Sequence, residues 1–149
     1  MRLVAVLAAV VLPATLAWGH GMDDRVPDAR ELADLQAKAA AASPNEQPYL
    51  YAELVHSMTE IATAQYQAGD DQHASASIKA AQGYAEKIQM NLLRDARKLK
   101  SAEILIRHTA FRLKELMTGA SLDDRPTLEA TIQQLNEVQS EMMTQIFRH

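Results

Sequence analysis

The sequence predicts an all-α protein, an antiparallel helical bundle of about four helices in which the third is unusually long. Three observations carry that expectation. No window sustains the period-two alternation of β-branched and aromatic residues that a strand requires. Proline, glycine and Asp clusters fall at wide intervals, so they cut the chain into stretches of helical length. Within each stretch, apolar residues recur at three- and four-residue spacings. The 149 residues include no cysteine, which excludes disulfide scaffolds, thiolate metal sites and cysteine nucleophiles. Five glycines and five prolines are too few for collagen-like or low-complexity chains.

Residues 1–19 come first. Arg2 supplies a positive start, Leu3 to Leu12 form an apolar run, Pro13 breaks it, and Ala17 and Gly19 are small. This is the order of a secretory signal peptide. A membrane-spanning helix needs about 20 apolar residues and this run has about half of that, so removal is expected rather than retention as an anchor. Cleavage after Gly19 and cleavage after Ala17 both satisfy the small-residue rule. The remaining chain, expected in the periplasm or secreted, is one folding unit of about 130 residues, enough for a core without disulfides. Loss of Arg2 makes the formal charge of −4 one unit more negative. A mildly acidic protein argues against general nucleic-acid binding, and no later apolar run is long enough for a stable membrane span.

Residues 20–26 read as a flexible linker, with Gly21 and the acidic pair Asp23 and Asp24, and residues 27–149 as a single helical domain. Pro27 suits a first turn, an alanine-rich helix runs from Asp28 to Ala42, and Ser43-Pro44-Asn45 ends it. The second helix is expected from Gln47, with Pro48 in its first turn, to Ala68 before Gly69-Asp70-Asp71. The third meets no proline or turn cluster between Gln72 and Thr118, a length of roughly 70 Å. The last follows Asp123 and Asp124, takes Pro126 in its first turn and runs from Arg125 almost to His149.

Periodicity then assigns faces. Tyr51, Leu54, Val55, Met58, Ile61, Ala62 and Gln65 share one side of the second helix. In the third, Ile78, Ala85, Leu92, Leu99, Ile106 and Leu113 recur every seven residues, a coiled-coil-like stripe. A second row, Leu93, Ile104 and Phe111, lies on another side of that helix, so it needs two partners. The second helix and the last, through Leu128, Ile132, Leu135, Val138, Met142 and Ile146, supply them in one reading. A homodimer seam supplies part of them in the other.

Residues 58–81 resemble a single tetratricopeptide hairpin. Met58, Ile61 and Ala62 stand at its first-helix packing positions, and Ala74, Ile78 and Ala81 follow Gly69-Asp70 as its small-large-small positions. Gln65 and Glu86 depart from the pattern, and without a second copy the resemblance implies a hairpin rather than a peptide-binding array. The whole chain is also similar to small exported bacterial proteins of unknown function, through Pro48 to Leu54, Lys98 to Glu103 and Gln145 to His149. That resemblance implies no activity.

Chemistry-bearing groups are sparse. Glu53 and His56 make one Glu-x-x-His step, whereas di-iron bundles use two such steps and two further glutamates. Glu53, His56 and Glu60 project away from the apolar stripe, which reads as a solvated polar face. Signal removal would expose His20, or Trp18-Gly19-His20, as a Cu²⁺ or Ni²⁺ ligand, against a plain linker reading. Arg94, Arg97, Lys98, Lys100 and Arg107, continued by Arg112 and Lys114, offer a face to an anionic partner, or pair with acidic residues such as Asp28, Glu31 and Asp34. Nucleophile-elbow and phosphate-cradling glycine motifs are missing, so neither catalytic residues nor a cofactor is expected. The leading expectation is an exported, non-enzymatic helical protein that binds another protein or has a structural role in the cell envelope. Metal binding through His20, or through His56 with Glu53, is one rival; a structural homodimer is the other.

Overall fold

The computed structural model describes residues 23–92 and 95–148. Residues 1–19, where a signal peptide is expected, and His20, Leu93, Arg94 and His149 lie outside the described residues. Regular structure among the described residues is entirely helical, in five helices: α1 (Ala29–Ala41), α2 (Gln47–Gln67), α3 (Asp71–Met90), α4 (Leu99–Thr118) and α5 (Arg125–Ile146).

Local chemistry sets most of these boundaries. The Asp28 carboxylate accepts from Glu31 N at 2.8 Å while the Glu31 carboxylate accepts from Asp28 N at 2.9 Å, a capping box that starts α1. Pro48 and Pro126 sit in the first turns of α2 and α5, where a missing N–H leaves no bond unmade. Between α2 and α3 the chain reverses through Gly69, whose φ of 77° is the left-handed conformation that glycine adopts without a Cβ clash. There Asp70 N donates to Gln65 O at 2.9 Å, and the Asp70 side chain caps α3.

Two expectations are corrected. The helices number five rather than about four, and the long third helix is two, α3 and α4. Asn91 ends α3, its side chain donating to Lys87 O at 3.0 Å. Lys98 takes a left-handed φ of 55° immediately before α4. The connection is anchored from outside by Arg97 N, which donates to Asn45 O at 2.7 Å in the loop between α1 and α2. The connection contains no glycine or proline; the Asn91 side chain and the Asn45 carbonyl each take up one backbone group at its ends.

The break lets each half of the heptad stripe serve the same core. Ile78, Ala85 and Ile88 of α3 and Ile106 and Leu113 of α4 are fully buried, together with Leu54, Val55, Leu128, Leu135, Val138 and Met142. α2 packs on α3 and α4 on α5; the two pairs join through α2 with α4 and α3 with α5, while α1 packs on α2. Ile104 and Phe111 of the second apolar row are not covered by α5: they are 41% and 56% exposed. None of these helices is long and apolar enough to cross a membrane.

Candidate functional site

α2 is packed on two sides, and its second side is polar. α4 and residues 23–26 cover the face of His56 and Glu60, so the solvated face expected there is corrected: His56 is 6% and Glu60 2% exposed. Thr59 is fully buried beside them. A polar face can be buried in this way only when its groups find partners, and these do.

Arg112 of α4 reaches Glu60 through Nε at 2.9 Å and Nη2 at 3.0 Å, and Glu115 through Nη1 at 2.8 Å. The two-pronged bond matches guanidinium to carboxylate geometry, which makes it strong and directional. The Glu60 hydrogen bonds, against the effect of burial, hold the Arg112 pKa above its ordinary value. Arg112 Nε also lies 3.8 Å from Asp24 Oδ2, a charge contact too long for a hydrogen bond.

Next to this pair stand two histidines and Asp24. The His56 and His108 rings are 5.6 Å apart between centroids, tilted by 48°. His56 Nδ1 contacts Thr109 Oγ1 at 3.1 Å, and the Thr109 hydroxyl donates to Leu105 O at 2.8 Å. A hydroxyl has one proton, so Thr109 accepts from His56 and the imidazole carries its proton on Nδ1. On the other side of the ring, Nε2 faces Asp23 O at 3.0 Å and Asp24 Oδ1 at 3.3 Å. The same Asp24 oxygen is 2.7 Å from His108 Nε2. Burial works to raise the Asp24 pKa; the His108 hydrogen bond and the charges of His108, Arg112 and His56 outweigh it and hold the carboxyl below its ordinary 3.8.

One ligand atom from each of Asp24, His56 and His108 lies within 4.8 Å of the other two. The sequence reading singled out His56 but paired it with Glu53, and Glu53 is not a member of this cluster. His108 and Asp24 were missed because they come from α4 and from the segment read as linker. The only signal for His108 was a histidine placed away from the main stripe; nothing local marked Asp24.

The expected cationic face is divided by the fold. Arg97 lies 3.6 Å from Glu46, the Lys98 ammonium sits 4.9 Å from the centre of the Tyr49 ring, and Arg107 lies 3.8 Å from Glu103. Glu31 pairs with Arg25 at 2.9 Å rather than with this segment. Lys100, Ile104, Arg107, Phe111 and Lys114 are exposed on one side of α4. Their spacings alternate between four and three residues, which confines them to an arc of about 80° over roughly 21 Å of helix. Comparison with known protein families, with characterised proteins and with solved structures finds no match to this chain.

Proposed function

We propose that the protein is an exported, non-enzymatic helical protein of the cell envelope that presents α4 to an amphipathic, acidic helix of another protein. The carrying observation is the exposed row Lys100, Ile104, Arg107, Phe111 and Lys114. Its four-three spacing is that of a coiled-coil seam, with apolar residues at one heptad position and cations at the other. A partner helix meets it with apolar and acidic residues in the matching register. Pairing with a second copy in parallel is disfavoured, because each cation then faces its own duplicate. Export is supported by Arg2, the apolar run Leu3 to Leu12 and the small residues before His20. The tetratricopeptide-like pattern supports a role in protein contacts: Ala74, Ile78 and Ala81 are fully buried inside the bundle, whereas the Ile104 and Phe111 side of α4 is left exposed.

A photo-crosslinking residue at Phe111, in living cells, tests the reading. A discrete heavier adduct is expected from position 111 and not from the equally solvent-facing Asn136 of α5. The adduct is expected to disappear when Arg107 and Lys114 are both changed to Glu. Absence of any adduct at 111, or an adduct whose mass is twice that of the chain, overturns the proposal; the second outcome favours a homodimer.

A further inference from the structure

We propose that Asp24, His56 and His108 form a binding site for a divalent transition-metal ion of the zinc class. The inference is independent of the partner reading and begins with a conflict of acceptors. With the His56 proton committed to Thr109, its Nε2 offers a lone pair, and that lone pair points at a carbonyl oxygen 3.0 Å away and a carboxylate oxygen 3.3 Å away. Three acceptors face one another where the buried His56 meets the partly exposed Asp24. The arrangement is favourable only when something positive stands between them, a second proton on the ring or a metal ion.

Donor chemistry selects the ion. Two imidazole nitrogens and one carboxylate oxygen suit Zn²⁺ and its neighbours Co²⁺, Ni²⁺ and Cu²⁺; Ca²⁺ and Mg²⁺ prefer all-oxygen shells. Ligands held about 2.0–2.1 Å from a tetrahedral zinc lie about 3.3 Å from one another. The His56 Nε2 to Asp24 Oδ1 distance of 3.3 Å already has that value. His108 Nε2, at 2.7 Å from the same oxygen, has to retreat by about half an ångström as its hydrogen bond is exchanged for a metal bond. The surrounding shell is also built. A metal-ligating histidine normally donates its other N–H to a fixed acceptor, and Thr109 is that acceptor for His56. Glu60 and Arg112 neutralise each other beside the site, which leaves Asp24 as the carboxylate facing the ion. An open groove of about 730 Å³ lined by Leu32, Leu35, Tyr49, Leu105, Asp23 and His56 reaches the His56 side of the cluster, and Asp24 and His108 are themselves partly exposed.

Zinc chloride titrated calorimetrically into the purified protein, with cobalt chloride as a spectroscopic probe, tests the site. The expected result is a single bound ion and visible d–d absorption with cobalt. His108→Gln and Asp24→Asn are each expected to weaken binding by at least tenfold, and Thr109→Val by about tenfold through loss of the ring's anchor. His108 is a quarter exposed and Asp24 more so, so both variants are expected to fold, which circular dichroism checks. Glu53→Gln, His73→Gln and His20→Gln leave the affinity unchanged. Absence of zinc binding by the folded protein overturns the proposal, as does binding that survives His108→Gln and Asp24→Asn but is lost with His20→Gln.

Discussion

Arg112 shows what the buried polar centre demands of single residues. Its guanidinium is the charge partner of a Glu60 side chain that is 3% exposed, so Arg112→Met leaves that carboxylate without a counter-charge. Since the arginine end is a quarter exposed, a destabilisation of about 2–3 kcal/mol is expected, below the full effect of breaking a wholly buried pair. Urea unfolding measures it, and Glu60→Met combined with Arg112→Met is expected to unfold less readily than Arg112→Met alone. Asp24 gives a pH dependence with a definite sign. Its folded-state pKa is depressed, so its stabilisation is present above the ordinary value of 3.8 and is lost as pH falls through the lower folded value. Asp24→Asn is therefore expected to flatten the acid limb of the stability profile; a parallel acid limb contradicts this. At this scale the sequence was legible only in part. The three-four spacing picked out Leu54, Val55, Ile106, Leu113, Leu135 and Val138, which are buried, but it also expected partners for Ile104 and Phe111, which are exposed, and a face of Glu53, His56 and Glu60 looks solvated when only its own helix is considered. Burial of that face was decided by Arg112 and Asp24, 52 residues downstream of Glu60 and 32 upstream of His56 in the chain.

Among the elements, α1 is held most locally. It packs on α2, and its start depends on the reciprocal bonds of Asp28 and Glu31. Asp28→Ala is expected to cost about 1 kcal/mol, with faster hydrogen exchange in α1 and little change in α3 to α5. Uniform acceleration across all helices contradicts a local role. Helix starts at Pro48 and Pro126 were readable because proline's preference for first turns is a property of the residue itself. The break between α3 and α4 was not. Leu92 and Leu99 keep the seven-residue rhythm across it, since both remain against the common core, and the residues that make the turn are Asn91, Arg97 and Lys98 rather than glycine or proline. Their decisive contact, Arg97 N to Asn45 O, belongs to tertiary structure.

For the whole molecule, α4 divides into a buried side and an exposed one. Leu113 faces inward and is fully buried, while Phe111 faces out. Leu113→Ala is expected to lower unfolding free energy by about 3 kcal/mol, through lost burial and the cavity left behind. Phe111→Ser is expected to change it by less than about 0.5 kcal/mol. The helical class was legible because it rests on pattern repeated along the entire chain; the cluster of Asp24, His56 and His108 was not, because three segments meet to make it. That meeting also has a kinetic meaning. The hairpins α2–α3 and α4–α5 close through short connections and can condense early, whereas Asp24 reaches a histidine 84 residues away. Closing so long a loop is entropically slow, and its reward comes only after both hairpins have docked. The segment of residues 23–26 is thus expected to be the last piece to lock and the first to open, making its protease sensitivity a timer for completion of the native state.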